Sequence, residues 1–562
     1  MNWKKGLLLI TTMILLCLVR TGHAKTSVCM WLTGLNGSNE ADQQTMPIDA
    51  IKWYATGGSE YCFFLPKDAD LSKLRLWFSG TEQMAADEKA IENGSGAAIL
   101  QEEGSTVFSS GRTKFSVKIM RSSDIPALYL TTESGSLNQI HRSKEYEEAG
   151  SLLFVDADGS IAYDGKLEHI KMRGNTSTTF KKKNYQIKLS VSTDLLHMGK
   201  EKKWILTSNS RDKSLLRNKV SFAMAQYAGL VYTPENEFVD VYINNEYMGC
   251  YLFSEKIEID GDRVDIDELE KQTEEANDQQ LSSYAFTGSK TTAKGRYKAY
   301  AIPNDPADIT GGYLFEYESY ASRYKDEPSA YYTRHGKVVV SKSPEYASVA
   351  QMEYLASLVQ GYENAIFAPD GIDPGTGRHY SSFMDFDSLV SKYLLEEVVK
   401  NYDGNTSSQF FYKPVDEDST VAFAGPVWDY DSAFGSYARP GNIEVLDPDG
   451  FWINTTNNSW WTAVYQHHDF QEAVVDKFHQ SYAHAMRILI GKEVDENGDL
   501  KSIDEYAQAI ADSAAMNFTR WTIVKNSSSV AQTGDTWEEN LSFLKAFISS
   551  RLDWLSGQWV EK

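Results

Sequence analysis

The chain has 562 residues, a formal net charge of −23 at pH 7 and 42% hydrophobic residues. The negative charge argues against nucleic-acid binding, because a protein that neutralises phosphates needs basic surface. The hydrophobic content, together with 12% aromatic residues, excludes an intrinsically disordered chain. The length predicts about two to four compact units.

The first 24 residues have the features of a secretory signal peptide. Lys4 and Lys5 precede an apolar run from Gly6 to Val19, and Ala24 ends a small-residue cleavage site. The run is about two-thirds of the ~20 residues that a membrane-spanning helix needs, which disfavours a retained anchor. We therefore predict a signal peptide at 1–24, a secreted or cell-surface protein, and no stable membrane span after cleavage.

Cleavage leaves three cysteines. Cys29 and Cys62 are candidates for a disulfide in an oxidising compartment, and whether they pair stays open at this point. Cys250 lies in an apolar stretch and is expected to be a buried thiol. The cysteines lack CxxC spacing, which disfavours a zinc site.

Residues 25–124 are predicted to form a small β-rich, sandwich-like domain. Short β-branched or aromatic runs alternate there with Gly, Ser and Asp clusters. The Ala-, Glu- and Gly-rich segment 84–104 is predicted to be a loop or a weak helix. No residues in this domain suggest chemistry.

Residues 125–440 are predicted to form an α+β core. A helix is expected where Asp212 caps a periodic apolar pattern that Gly229 ends. An Asn-Asn pair at 244–245 predicts a hairpin turn. The polar segment 262–300 is predicted to be an inserted loop.

A helix and a hairpin are predicted at the end of the core, before a mostly helical C-terminal part. A helix is expected over 388–404, ending at Gly404, and a hairpin leads from it into the stretch GPVWDYDSAFG at 425–435. Residues 441–562 are predicted to form a helical C-terminal part that packs on the core. Its last helix carries leucines and an isoleucine at spacings of three and four residues.

The stretch HIKMRGNTSTTFKKKNYQIKL, residues 169–189, predicts two strands joined by a basic tip. Arg173, Gly174 and Asn175 lie at the tip, and Lys183 and Lys188 follow on the returning strand. Backbone N–H groups and fixed positive charges of this kind bind phosphate. The alternative is a solvated basic hairpin on an acidic protein.

Three aspartates occur later in the chain. Asp403 follows the predicted helix and precedes Gly404, as in an ordinary turn. Asp429 and Asp431 lie one residue apart among aromatic residues, and they would share one face if the stretch were extended. Either these carboxylates accept turn hydrogen bonds, or a divalent metal with its phosphates supplies the missing positive charge.

Together these residues suit phosphoryl transfer. That reaction needs a phosphate cradle, an acid that holds Mg²⁺ and another acid that orients the attacking hydroxyl. Protein kinases also place the catalytic-loop acid before the metal acid in the chain. However, the sequence has no HRD motif, no DFG motif and no Walker-type loop.

Five blocks of the sequence, in this order, resemble the CotH family, the spore-coat protein H kinase-like proteins. They cover roughly 165–436, whereas 25–124 lie outside the resemblance. The resemblance implies a remote protein-kinase-like core and an atypical, exported, bacterial surface-associated protein kinase. The blocks are IKMRGNTSTTFKKKNYQIKL, KWILTSNSRDKSLLRNKVSFAMAQYAGL, VDVYINNEYMGCYLFSEKIE, LLEEVVKNYDG and GPVWDYDSAFG.

The resemblance also implies roles for the residues that contact nucleotide. The Arg-Gly-Asn tip, residues 173–175, matches the family's loop near the phosphates of ATP. Lys183 and Lys188 match its two lysine positions, and either is a candidate partner of the nucleotide. Glu255 matches an acidic position expected to pair with that lysine, as the helix glutamate of a kinase does.

The implied catalytic and metal residues are the three aspartates. Asp403 matches the acid proposed for catalysis, and Asp429 matches the acid proposed to bind Mg²⁺. Asp431 is a second candidate ligand, at a position that varies within the family. The expected activity is transfer of the ATP γ-phosphate to Ser or Thr of a surface or coat protein.

Two other functions stay open at the sequence level. Kinase-like exported proteins also serve as binding or structural proteins without activity, because function depends on the site rather than the fold. A secreted carbohydrate hydrolase would use Asp403 and Asp429 as its carboxylate pair. The aromatic content suits the hydrolase, but the lysine-rich hairpin does not.

Overall fold

The computed structural model describes residues 28–34, 50–292, 295–523 and 534–561. The predicted signal peptide lies outside the described residues. The described chain has a mixed α+β fold, as predicted, and divides into two compact units. The first unit comprises Met1–Ser210, Glu237–Phe253 and Gln508–Ile523, and the second comprises Arg211–Asn236, Ser254–Ala507 and Val524–Lys562.

The N-terminal region is β-rich, as predicted. Its strands are β1 (Cys29–Gly34), β2 (Ile51–Lys52), β3 (Tyr54–Gly57), β4 (Glu60–Leu65), β5 (Leu74–Ser79), β6 (Met84–Ala86), β7 (Lys89–Ile91), β8 (Ser95–Gly96), β9 (Thr106–Ser110) and β10 (Thr113–Arg121). They form a four-stranded sheet, β2-β1-β5-β8, and a six-stranded sheet, β3-β4-β10-β9-β6-β7. One hydrophobic cluster contains buried side chains of both sheets, among them Leu32 and Phe63.

One sequence expectation for this region is wrong. Segment 84–104 contains short strands rather than a loop or weak helix, because Met84 and Ala86 alternate into the core. The pairing of Cys29 with Cys62, which the sequence left open, does not occur, because no disulfide joins them. They lie on strands of different sheets, and burial raises the pKa of the Cys62 thiol to about 12.

A closed seven-stranded barrel follows in the first unit. Its strands are β11 (Ala127–Thr132), β12 (Glu147–Val155), β13 (Ile161–Arg173), β14 (Asn184–Asp194), β15 (Lys200–Thr207), β16 (Asn236–Ile243) and β17 (Glu246–Glu255). The order is β11-β12-β13-β14-β15-β17-β16, and β16 pairs with β11 in parallel. Tyr185, Ile187 and Leu189 alternate into the barrel core, so the side chains between them face away from it. The predicted turn between β16 and β17 is confirmed, since Asn244 and Asn245 both have positive φ.

The second unit contains a seven-stranded sheet, β18-β19-β21-β22-β20-β23-β24. Its strands are β18 (Phe286–Thr292), β19 (Gly295–Tyr300), β20 (Tyr313–Glu318), β21 (Ala330–Tyr332), β22 (Val338–Ser343), β23 (Gln409–Lys413) and β24 (Phe423–Ala424). The pairing of β23 with β24 confirms the hairpin predicted before residue 425. Segment 262–300 is not a plain loop, because it supplies β18, β19 and a short helix.

The described helices connect and cover these sheets. They are α1 (Arg217–Tyr227), α2 (Leu269–Glu275), α3 (Arg323–Asp326), α4 (Val349–Phe367), α5 (Phe386–Val398), α6 (Trp460–Val464), α7 (His468–Lys477), α8 (Ala483–Leu489), α9 (Ile503–Ala509), α10 (Ala511–Arg520) and α11 (Trp537–Gln558). Across the described residues, none of the helices has the length and apolar character that crossing a membrane requires.

Two helix boundaries differ from the sequence prediction. Helix α1 begins at Arg217, and Asp212 accepts from its backbone N–H at 2.7 Å instead of serving as the adjacent cap. Helix α5 ends at Val398 rather than Gly404, because Lys400 turns into the left-handed conformation with φ +46°. The residues from 399 to 408 therefore form a loop.

A buried ion pair joins α5 to the C-terminal helix α11. The Arg551 guanidinium contacts Glu397 Oε1 at 2.7 Å, and both side chains are fully buried. Arg551 also donates to the carbonyl oxygens of Pro448 and Gly450. Glu397 accepts in addition from the backbone N–H groups of residues 452 and 453. One pair thus fixes two helices and the segment 448–453.

Removing this arginine should destabilise the protein strongly. Arg551→Ala leaves the Glu397 carboxylate buried without its cation, which costs about 3–5 kcal/mol. We expect a lower melting temperature and a lower free energy of unfolding in urea. The exposed Arg334 provides the control, and Arg334→Ala should change the unfolding free energy by less than about 0.5 kcal/mol. Equal effects of the two substitutions would contradict the structural role of the pair.

Candidate functional site

The basic hairpin of the first unit closes tightly after β13. Arg173, the last residue of β13, pairs with Asn184, the first residue of β14. Gly174 has φ +98°, and a Cβ there would lie 2.1 Å from the Ser177 hydroxyl. Only glycine fits this position, so the chain turns at the predicted tip and continues into a 3-10 turn at Thr176–Thr179.

The polar side chains of the tip are engaged within the loop. Thr178 donates its hydroxyl to the Asn175 carbonyl at 2.6 Å, and Lys183 donates its ammonium to the Thr178 carbonyl at 2.6 Å. Asn175 Oδ1 accepts from Lys144 at 3.3 Å. Burial lowers the pKa of Lys183. The tip is therefore a folded loop in which Lys183 has a structural hydrogen bond.

The lysines of this hairpin have different environments. Lys188 forms an ion pair with Glu168 at 2.5 Å, on the side of the strand that faces away from the barrel core. Lys182, which the sequence analysis did not single out, is almost fully buried. Its ammonium donates to the carbonyls of Ser208 and Cys250 and to Asn517 Oδ1. Lys182 thus anchors the returning strand.

The catalytic candidate of the second unit, Asp403, lies in the loop that follows α5. Its backbone N–H donates to Asn401 Oδ1 at 3.2 Å, and its carbonyl accepts from the Thr406 N–H at 2.8 Å. The Thr406 hydroxyl also contacts the Asp403 carboxylate at 3.3 Å. Asp403 is half-buried. The loop combines the turn geometry expected from sequence with a carboxylate that is held in place.

The two metal candidates lie in a second loop that follows β24, and this stretch is not extended. Asp429 is exposed and has a left-handed backbone, with φ +69°, while Asp431 begins a turn. The Ser432 hydroxyl donates to Asp431 Oδ1 at 2.9 Å, and the Ser436 hydroxyl donates to the Asp431 carbonyl at 2.9 Å. Strand alternation therefore does not relate the two aspartates.

The charges of Asp403 and Asp431 interact in the folded protein. Burial raises the pKa of Asp403, and the nearby Asp431 raises it further, whereas Arg211 lowers it. Burial lowers the pKa of Lys213, and both Asp212 and Asp431 oppose that shift. Three acids and two bases of the second unit thus interact. Asp431, one of the two metal candidates, acts on Asp403.

The segment before α1 is the part of this cluster that sequence reasoning missed. Arg211 donates to the Ser432 hydroxyl at 2.8 Å, and its guanidinium lies 4.1 Å from the ring centroid of Tyr437. Arg217 forms a buried ion pair with Asp212 and donates to the Ala433 carbonyl at 2.9 Å. The sequence offered one indication of this cluster, namely three consecutive charged residues shortly before the helix. Only the aspartate among them was interpreted, as a helix cap.

Glu255, the acidic position that the resemblance implies, ends strand β17. Its carboxylate pairs with Arg263 at 2.5 Å. It also accepts from the Glu235 backbone N–H at 2.8 Å. Burial raises the pKa of Glu255 to about 7, although Arg263 opposes the shift. These are the contacts of a buried strand end, and the pairing of Glu255 with a lysine of the hairpin stays a prediction.

The acids of the second unit suit a divalent cation that is bound mainly through phosphates. No group of three or more His, Cys, Asp or Glu side chains arranged to hold a metal occurs in the described ranges. Mg²⁺ commonly takes only one or two carboxylates and completes its shell with water and phosphate oxygens. The mutual repulsion of Asp403 and Asp431 is the feature that such a cation would offset.

The raised pKa of Asp403 has a consequence for stability. In the unfolded chain the carboxyl titrates near its ordinary value of 3.8, whereas the folded state holds the pKa higher. Below the unfolded value both states are protonated and the charge has no effect. As the pH rises through the interval up to the folded pKa, the ionised carboxylate increasingly opposes folding. We expect Asp403→Asn to raise the melting temperature at pH 7.

The gain from Asp403→Asn should vanish as the pH falls below about 4, where the aspartate is protonated in both states. Differential scanning calorimetry between pH 3 and 8 would measure it. Asp553→Asn, at an exposed position of α11, is the control and should show little effect. A difference in melting temperature that does not depend on pH would show that the charge of Asp403 is not what opposes folding.

Comparison with known proteins identifies a family. Residues 170–555, most of the chain, match the family model described as CotH kinase protein. The matched range begins within β13 and includes the basic hairpin, the loop of Asp403, the loop of Asp431 and the C-terminal helices. A search of curated proteins returned no match.

Proposed function

The chain belongs to the CotH kinase protein family, and on that premise we propose that it is an exported, atypical protein kinase with a remote kinase-like core. It transfers the γ-phosphate of ATP to Ser or Thr side chains of a surface or coat protein, with Mg²⁺ as the metal. The observation that carries the proposal is the approach of Asp403 and Asp431, from separate loops, beside Arg211 and Lys213.

Each carboxylate has a distinct role in this proposal. Asp403, whose pKa is raised by burial and by Asp431, accepts the proton of the attacking hydroxyl group. Asp431 holds Mg²⁺, and the exposed Asp429 is the second candidate ligand. When bound, the metal neutralises charge on the phosphate oxygens. Arg211 lies beside both acids and can donate to a phosphate oxygen bidentately.

The basic hairpin of the first unit is proposed to bind the nucleotide phosphates. Arg173 and the backbone N–H groups after Gly174 provide the donors that such a loop needs. Because Lys182 is a buried anchor and Lys188 is paired with Glu168, we assign the first nucleotide contacts to Arg173 and Lys183. Lys183 must exchange its bond to the Thr178 carbonyl for one to phosphate.

A nucleotide-dependent thermal shift tests the proposed function. A ligand that binds only the folded state stabilises it, by about 2.7 kcal/mol at 100 times its Kd. The melting temperature should therefore rise with ATP plus Mg²⁺ more than with either alone. Asp431→Asn should abolish the metal-dependent part of the shift and the phosphoryl transfer. Asp403→Asn should keep the shift and lose only the transfer, because its proposed partner is the acceptor hydroxyl.

Controls separate these effects from general damage. Asp553→Asn should retain both the shift and the transfer. Incorporation of ³²P from labelled ATP into added surface-protein extract, or into the protein itself, would measure the transfer. Normal transfer by Asp431→Asn would show that this carboxylate is a turn acceptor and not a metal ligand.

The hairpin assignment makes a separate prediction. Arg173→Ala should weaken ATP binding about 10- to 100-fold, because hydrogen bonds to charged groups are worth about 1.5–3 kcal/mol. The fold should remain, since a side chain next to a loop tip contributes little to the core. Isothermal titration calorimetry measures the affinity, with Arg112→Ala, an exposed hairpin residue of the same unit, as the control. If Arg173→Ala unfolds the protein, the residue is structural.

One observation favours a second function, that of a catalytically silent binding protein with the same fold. Arg211 lowers the pKa of Asp403, which burial raises, and Asp431 raises the pKa of Lys213, which burial lowers. These cations would compensate the carboxylates without a metal. An unchanged melting temperature at millimolar ATP and Mg²⁺ would support this second function over the kinase.

A further inference from the structure

A fully buried ion pair lies beneath the two acidic loops of the second unit. Glu396 and Lys392 are one turn apart on α5, and Lys392 Nζ lies 2.8 Å from Glu396 Oε1. Neither side chain is exposed. A buried carboxylate of this kind needs several donors to offset its desolvation. The hydrogen-bond donors of Glu396 therefore show which segments of the chain it holds in place.

One oxygen of Glu396 supports the loop of Asp403. Glu396 Oε2 accepts from Asn401 Nδ2 at 2.8 Å, and Asn401 Oδ1 accepts from the Asp403 N–H at 3.2 Å. The chain then passes so close to the carboxylate that a Cβ on Gly404 would lie 2.8 Å from the same oxygen. Asp403 is therefore connected to Glu396 through a single amide side chain.

The other oxygen supports the loop of Asp431. Glu396 Oε1 accepts from the Tyr430 hydroxyl at 2.7 Å, and Lys392 donates to that hydroxyl at 3.0 Å. Tyr430 stands between Asp429 and Asp431 in the chain and is fully buried. Its backbone N–H donates to Asn218 Oδ1 at 2.7 Å. The position of the second loop thus depends on the same carboxylate as the first.

We propose that Glu396 is the positioning residue that couples the two acidic loops. Asp403 and Asp431 repel each other, so each loop needs an attachment that keeps its carboxylate near the other. A single buried carboxylate that accepts from both loops supplies that attachment, and it couples movement of one acid to the other. The catalytic consequence rests on the proposed kinase function, whereas the coupling of the loops does not.

The neighbouring residue provides a matched comparison. Glu397 is also fully buried on α5 and also pairs with a cation, Arg551, but its side chain accepts from residues 452 and 453. Glu396→Gln and Glu397→Gln therefore remove the same charge from adjacent positions. Both should lower stability, but only the first should affect the loop of Asp431.

Hydrogen exchange of the full-length protein without nucleotide tests the coupling. Glu396→Gln should speed amide exchange in both 401–408 and 429–436, by about tenfold or more relative to the wild type. Glu397→Gln should speed exchange in 448–453 and leave 429–436 unchanged. Exchange in 401–408 is not a control for this variant, because Asn405 donates to the Ile453 carbonyl and Trp452 donates to the Asn401 carbonyl, each at 2.9 Å. The proposal is overturned if Glu396→Gln changes neither acidic loop or only one, or if Glu397→Gln changes 429–436 as much as Glu396→Gln does.

A milder variant covers the case in which Glu396→Gln does not fold. Tyr430→Phe removes only the hydroxyl that binds Glu396, and it should speed exchange in 429–436 while the protein stays folded. The control is Tyr331→Phe, because Tyr331 is equally buried and donates its hydroxyl to Gln360 Oε1 at 2.6 Å, outside both loops. No difference between Tyr430→Phe and Tyr331→Phe in this loop would also overturn the proposal.

Enzyme kinetics test the catalytic consequence separately. Tyr430→Phe should lower kcat about 10- to 100-fold, the usual effect of losing a hydrogen bond that orients a metal ligand, and change the KM for ATP less than about twofold. An unchanged kcat with a raised KM would contradict positioning.

The two hypotheses fail in different experiments. Wild-type protein without any Mg²⁺–ATP-dependent shift would refute the proposed function, and hydrogen exchange would still decide whether Glu396 couples the loops. Conversely, if the wild type is active but Glu396→Gln does not change amide exchange in the acidic loops, only the positioning role is refuted.

Discussion

Buried ion pairs are the constraint on which the loops of the second unit depend. Arg217 pairs with Asp212, Lys392 pairs with Glu396, and Arg551 pairs with Glu397, and all six side chains are at most 2% exposed. A charge in such surroundings needs its counter-ion and further hydrogen bonds, and the further bonds in each case go to a loop. The pairs therefore hold irregular segments in position, which the backbone hydrogen bonds of helices and strands do not do.

These ion pairs explain how two carboxylates that repel each other stay close together in the folded protein. Asp403 and Asp431 raise the energy of the folded state when both are ionised, as the raised pKa of Asp403 indicates. Loops carrying like charges would otherwise separate. The bonds from Glu396 to Asn401 and Tyr430, and from Arg217 to the Ala433 carbonyl, oppose that separation. Strain of this kind at a cluster of acids is typical of functional sites rather than of ordinary turns.

Local patterns in the sequence predicted much of the fold. The Asn-Asn turn at 244–245, the hairpin that leads to residue 425 and the amphipathic C-terminal helix depend on neighbouring residues, so they were predictable. Segment 262–300 was not, because its strands pair within a sheet that polar composition does not reveal. The sequence also left the pairing of Cys29 and Cys62 open, since pairing depends on which sheet each strand joins.

The sequence also predicted only part of the candidate site. The family resemblance pointed to Asp403, Asp429, Asp431 and the Arg-Gly-Asn tip, but it could not distinguish among the lysines, whose roles depend on distant partners. Lys182 binds Asn517, which is 335 residues away in the chain, and Arg211 binds Ser432, 221 residues away. No local pattern encodes such contacts.

The charge interactions of Asp403 and Asp431 with nearby cations bear on the function of the site. Burial and Asp431 raise the pKa of Asp403, and Arg211 only partly offsets them, while Asp431 also interacts with Lys213. The ionised Asp403 carboxylate is therefore disfavoured in the folded protein, and burial is the largest cause. In the proposed kinase, a divalent cation bound with the nucleotide would offset part of this cost while Asp403 accepts a proton. A silent binding protein with the same fold would keep the cost without that compensation.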